Sequence, residues 1–133
     1  RKLYTPDMYL IEQIALHLVN QGLGQLATSI FYSYMPDNAD NCLCVYDTGG
    51  MEPDIDLPTK VPTFQIIVRA SDYETGKTKL DAVRTALHRK EGATLINGGT
   101  FFYYIFAMQE GGHIGRNERG LDEFSINFRC KIR

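Results

Sequence analysis

The sequence predicts an α+β fold: a mostly antiparallel sheet with two amphipathic helices packed on one face, in the order α-β-β-β-α-β-β-β. Two stretches carry that reading. The first, Val61 to Glu91, is a strand followed at once by a helix. Phe64, Ile66, Val68 and Ala70 fall on one side of the strand, with Thr63, Gln65, Ile67 and Arg69 on the other. The first set is wholly apolar, so that face is buried. Past Ser71-Asp72 the period lengthens, and Leu80, Val83 and Leu87 recur on one helical stripe with Ala86 beside them. The second stretch is Leu121 to Arg133, where Phe124, Ile126, Phe128, Cys130 and Ile132 alternate with Glu123, Ser125, Asn127, Arg129, Lys131 and Arg133. One face of that strand is core; the other is wet or meets a polar partner.

At 133 residues the chain is the size of one domain, residues 1–133. A chain this long buries roughly two thirds of its extended surface and needs no disulfide or metal staple. A net charge of −2 offers neither a duplex-binding surface nor a polybasic membrane patch. No signal peptide is expected, and no apolar run approaches the ~20 residues of a membrane-spanning helix, so no membrane is expected as a partner. The chain opens on Arg1 rather than Met, as a trimmed start would. Cys42, Cys44 and Cys130 sit within apparent strands, as reduced, partly buried thiols. Neither they nor the three histidines form a metal-ligand cluster.

Taken in order, Thr5-Pro6-Asp7 starts a helix with a cap, a proline at the first helical position and an early acid. Leu10, Ile11, Ile14, Leu18 and Val19 form its apolar stripe, and His17 reads as a half-exposed helical histidine. Gly22 stops it, with Leu23 folding back over the last turn. Thr28–Tyr34 and Cys42–Tyr46 read as a hairpin joined by the turn formers of Met35 to Asn41, and Asp47-Thr48-Gly49-Gly50 closes it. Met51 to Lys60 is a long exposed connection with three acids and two prolines, of the kind that carries interactions. After the central pair, Gly92 ends the second helix. Thr94–Ile96 and Thr100–Gln109 flank Asn97-Gly98-Gly99, a tight-hairpin signal. The arm TFFYYIFAMQ is apolar or aromatic on both faces and is therefore covered on both, by helices or by a neighbouring subunit. Glu110 to Gly120 is a polar, Gly-rich loop.

Ser71 to Thr78, SDYETGKT, imitates a phosphate-binding loop, with Lys77 and Thr78 as the nucleotide-binding pair of a small enzyme. Ser71 stands where the motif needs its first glycine, so the segment reads instead as a Thr75 cap and a solvated first turn. No G-x-S-x-G elbow or H-E-x-x-H spacing appears. His113 and Glu118 share the Gly-rich loop with Arg116 and Arg119, a mixed-charge surface that reads as an interaction site rather than an acid–base pair. Asp54 and Asp56 lack calcium-loop spacing. The sequence implies no catalytic group, no cofactor and no metal.

One resemblance spans nearly the whole order of elements. It rests on the early amphipathic helix, Tyr46-Asp47-Thr48-Gly49-Gly50, Pro62 to Ala70 followed by Asp72-Tyr73, the loop Gly-Arg-Asn-Glu-Arg-Gly and the strand Phe124 to Phe128. The chain resembles the minor capsid or tail-terminator proteins of long-tailed bacteriophages. What the resemblance implies is a virion protein that forms a hexameric ring on the tail tube, stops its polymerisation and meets the head connector. Its partners would be further copies of itself, the tube protein and the connector, with DNA passing through the ring without sequence-specific binding. A head-completion or tube protein of the virion is the neighbouring possibility. The expected contact residues are Asp47, Met51, Glu52, Asp54 and Asp56 in one connection and His113, Arg116, Asn117, Glu118 and Arg119 in the other.

Overall fold

The computed structural model describes residues 8–51 and 58–133. The expected helix start at Thr5-Pro6-Asp7 lies outside them. Helix α1, Leu10–Asn20, is entered from Tyr9. It closes as expected: Leu23 N–H donates to the Leu18 carbonyl (3.1 Å) and Gly22 N–H to Val19 (3.0 Å), with Gly22 left-handed at φ 81°. Its buried face is broader than the apolar stripe, running from Gln13 to Leu18. His17 is not half-exposed. It is buried with its Nε2 3.3 Å from the Ala86 carbonyl of the second helix.

Strands β1 (Ile30–Tyr32), β2 (Cys42–Met51) and β3 (Val61–Ala70) precede helix α2 (Tyr73–Leu87), and β4 (Lys90–Thr94), β5 (Phe101–Ala107), β6 (Gly112–Arg116) and β7 (Asp122–Ile132) follow it. This is the predicted order with one strand added, β6. A single sheet runs β1-β2-β3-β7-β5-β4, with β6 also on β7. β7 is its spine. β3 lies along one side of it, while β5 and β6 share the other side in succession, β5 on its C-terminal half and β6 on its N-terminal half.

Both helices pack into one core with the same face of the sheet. Ile14, Ala15 and Leu18 meet Leu80, Val83 and Leu87 above Phe64, Ile66, Val68, Phe124, Ile126 and Phe128. The Phe64 and Phe128 rings stack at 5.1 Å. The two stretches that predicted the fold therefore lie side by side, Phe64 paired with Phe128 and Ile66 with Ile126.

Three local expectations change. β1 and β2 are parallel, not a hairpin. Met35 is buried on Cys42 and Cys44, beside Ala39, Phe31 and Ile67, so the connection crosses the second face of the sheet and returns the chain to its starting end. Arg69 fixes that crossing by donating to the carbonyls of Pro36 (2.7 Å) and Ala39 (3.2 Å). β2 does not stop at Tyr46. It continues to Met51 through a bulge at Asp47–Gly50. The second helix ends at Leu87 rather than Gly92, because Arg89 turns left-handed (φ 63°) and its N–H goes at once to Ile105 of β5 (2.8 Å). β4 therefore begins early, and Leu95 and Ile96 leave the strand to enter the core. The Asn97-Gly98-Gly99 turn does join β4 to β5. The Gln13 amide pins it to α1 through both Thr100 Oγ1 and Thr100 N–H, each at 2.9 Å.

Candidate functional site

The two predicted contact segments lie at opposite ends of the strands. Met51 pairs with Val61 at the start of β3, and Asp122 with Ala70 at its end. Nine residues at ~3.3 Å each put these ends about 30 Å apart.

At the first end, Asp47 Oδ1 accepts from Gly49 N–H (2.8 Å) and shapes the bulge. Gly50 is required there, since a Cβ would sit 2.7 Å from the Val61 carbonyl oxygen. Thr48 and Thr63 join hydroxyls at 2.7 Å. Asp47 is exposed and Met51 presents 55% of its surface. Glu52, Asp54 and Asp56 lie outside the described residues.

At the other end, the Gly-rich segment expected to be a loop is a hairpin. Its backbone pairs with β7 even though its side chains show no alternation. His113 Nε2 lies 2.8 Å from Asp122 Oδ1 and Arg116 Nε 3.5 Å from the same oxygen. Asp122 is buried, and its Oδ2 has no partner among the described residues. The His113 ring stands against Tyr73 (5.3 Å) and Phe124 (5.0 Å). Asn117 orders the turn by accepting from the N–H groups of Arg119 (2.9 Å) and Leu121 (3.0 Å). Arg119 reaches across to the Asp37 carbonyl and the Asp40 carboxylate. Arg69 binds Glu123 at 3.1 Å beside it. His113 and Glu118 are thus not an acid–base pair. The histidine's carboxylate is Asp122, and Glu118 stands exposed without an ion pair among the described residues.

The segment that imitates a phosphate loop is helix. Only Ser71 and Asp72 separate β3 from α2, and the cap is Asp72 rather than Thr75. Asp72 Oδ1 accepts from Thr75 N–H at 2.8 Å, which holds its carboxyl below the usual carboxylate range. The chain's own carboxylate occupies the place a phosphate would take. Gly76 serves packing: a Cβ there would meet the Phe124 ring at 2.2 Å. Lys77 pairs with Asp81 (3.5 Å), and Lys79 donates to the Leu23 carbonyl (2.6 Å).

The cysteines are free and buried. Burial pushes the Cys44 thiol up to about 11 and Cys130 up to about 12, so neither supplies a thiolate nucleophile at neutral pH. No group of three or more His, Cys, Asp or Glu among the described residues is placed to hold a metal. Among the described residues, no helix is long and apolar enough to cross a membrane.

Fold and surface together define an α+β protein in which polar side chains order both ends of the central strands. The chain belongs to the bacteriophage tail terminator protein family, whose sequence model matches residues 17–133. Nine chains of known structure match its fold. One comes from the virion of a native gene transfer agent particle, at a TM-score of 0.69 and 14% identity, covering 96% of this chain and 98% of that one. Among curated proteins no sequence matches. The protein is a structural component of the virion tail.

Proposed function

We propose that the chain, acting as one domain, forms a hexameric ring at the head-proximal end of the tail. The ring stops polymerisation of the tail tube and joins the tail to the head connector. DNA passes through its lumen without sequence-specific binding, and the protein works without catalysis or cofactor. The observation that carries this reading is the family match over residues 17–133. The geometry supports it: two ordered polar ends about 30 Å apart suit a subunit that meets one partner above and another below. Asp47 and Met51, with Glu52, Asp54 and Asp56, serve one side; His113, Arg116, Asn117, Glu118 and Arg119 serve the other.

The two ends differ in what they can lose. Arg119 and His113 also hold the hairpin, whereas Arg116 is largely exposed and Glu118 is exposed. Charge reversal at Arg116 and Glu118, or deletion of residues 51–56, is expected to abolish assembly on tail tubes. Light scattering and negative-stain images of the wild-type chain, alone and with tube, are expected to show a sixfold ring. Variants that assemble normally, or whose circular dichroism shows global unfolding, would sink this assignment of contacts.

A further inference from the structure

The chain carries six asparagines, Asn20, Asn38, Asn41, Asn97, Asn117 and Asn127, and Asn97 alone is followed by glycine. Asparagine is a labile residue type. It loses its side-chain amide when the backbone nitrogen of the next residue reaches its Cγ. That reaction needs a free side chain, a free N–H behind it and little bulk on the following residue. Five of the six asparagines fail one of these conditions. Gln21 N–H, after Asn20, donates to the His17 carbonyl (2.9 Å), and Ala39 N–H, after Asn38, donates to Pro36 (3.4 Å). Asn41 Oδ1 accepts from Ser71 N–H (3.2 Å), and Asn117 Oδ1 accepts from Arg119 and Leu121. Asn127 is held mid-strand in β7, paired with Gln65 and followed by the buried Phe128.

Asn97 meets all three conditions. It stands exposed in the turn between β4 and β5, and Gly98 beside it is exposed too. Gly99 N–H closes the turn on the Ile96 carbonyl (2.8 Å), and Gly98 N–H has no backbone partner among the described residues. The side-chain hydrogen bonds at this turn, among the described residues, belong to Gln13 and Thr100. Gly98 is left-handed at φ 80°, as the turn requires of a glycine. A Cβ on it would meet nothing within 4 Å, so the space around its nitrogen is open.

We propose that Asn97 is a site of spontaneous modification, the one asparagine that the folded chain leaves free to react. Gly98 N gives up its proton to base and attacks Asn97 Cγ. The N–Cγ bond forms, the Cγ–Nδ2 bond breaks, ammonia leaves, and a cyclic succinimide remains. Water then opens the ring. Attack at Cγ restores the main chain with an ordinary aspartyl residue. Attack at the main-chain carbonyl carbon leaves an isoaspartyl link, with the chain running through Cγ. Either product adds one negative charge to a chain at −2. The isoaspartyl product also lengthens the backbone path of a tight turn by one atom. Leu95 and Ile96 enter the core just before that turn, and Gln13 holds Thr100 just after it. The isoaspartyl form therefore loosens the tie between α1 and the β4–β5 hairpin, whereas the aspartyl form keeps it.

Ageing the folded chain in mildly alkaline buffer tests this. Mass spectrometry of the tryptic peptide Glu91–Arg116 is expected to show a gain of one mass unit, placed at Asn97 by fragmentation. The gain should divide between two chromatographic products and quicken as pH rises. It should vanish in Asn97→Gln, whose longer side chain has to close a larger ring. Peptides bearing the other five asparagines are expected to stay unchanged over the same time. The isoaspartyl fraction should melt below both fresh protein and Asn97→Asp. A parallel sample in concentrated urea separates the dipeptide's own reactivity from that of the fold. Reaction at Asn97 in urea but not in the folded chain would mean that the turn protects it, and would overturn the proposal. Equal reaction at the other asparagines of the folded chain would overturn it as well. An isoaspartyl fraction that melts with fresh protein would overturn the loosening of the hairpin.

Discussion

On the face of the sheet beneath the helices, Phe64, Ile66, Phe124, Ile126 and Phe128 are wholly removed from water. On the opposite face of the same strands stand Thr63, Gln65, Ser125, Asn127, Arg129 and Lys131, polar and at least partly exposed. Adjacent residues of β7 thus belong to different problems. Phe128 lies within the core, whereas Arg129 next to it is exposed and forms no ion pair among the described residues. Along β3 and β7, the main core lies on one face, and the other is polar and partly open to water.

Breaking that contrast should have its largest effect at Phe128. Phe128→Ala leaves a cavity beside the stacked Phe64 ring and is expected to cost about 3–5 kcal/mol, read as a fall in the urea midpoint. Arg129→Glu should leave the same midpoint within about 0.5 kcal/mol. A comparable loss at both positions would erase the distinction between the faces. Next is Gly76→Ala, which forces a Cβ into the Phe124 ring and is expected to cost about 1–3 kcal/mol. A change within error would show that α2 can slide on β7.

The third effect is one of pH. Burial lowers the pKa of His17 from its ordinary 6.5, with the nearby Lys90 charge acting in the same direction. The folded chain then binds its proton less readily than the unfolded one. The associated stability is full above pH 6.5 and is lost as pH falls from there toward the lower folded value. Thermal melts of wild type and His17→Gln between pH 7.5 and 5.5 should converge toward the acid end; parallel curves would count against a buried neutral imidazole. The smallest change is Lys77→Ala, which removes an exposed pair worth about 0.3–0.5 kcal/mol. Added nucleotide should not shift the melting of either chain, whereas saturating binding at a hundredfold excess over Kd would add about 2.7 kcal/mol.

The alternation of β3 and β7 and the stripe of α2 were legible because burial on one face writes a period into side chains. Elements fixed by the backbone were not. β6 is paired to β7 through peptide groups of a Gly-rich segment, so its composition hides it. The parallel pairing of β1 depends on Met35 finding Cys42 and Cys44, and on Arg69 reaching the Pro36 and Ala39 carbonyls. No local pattern encodes those contacts. Asp72 rather than Thr75 caps α2 because the helix begins sooner after the strand than the residue types suggest. The cations at Arg129, Lys131 and Arg133 were legible on the polar side of β7, but the bulge between Phe102 and Tyr104 was not, because an unbroken aromatic run carries no sign of it.

The position of β7 between β3 and β5 also sets how the molecule must form. Those two strands touch the same central strand but not each other, and Phe64 meets Phe128 only after most of the intervening chain has been looped out. Such pairings pay their loop entropy before they are rewarded, which slows folding relative to a sheet of local hairpins. Until β7 docks, the apolar row of β3 and its open edge remain free to pair with another chain. Substitutions along that edge should therefore lower the yield of soluble protein more than they lower the stability of the molecules that succeed. In an assembling infected cell, the supply of closed subunits would be governed by the rate of that one insertion.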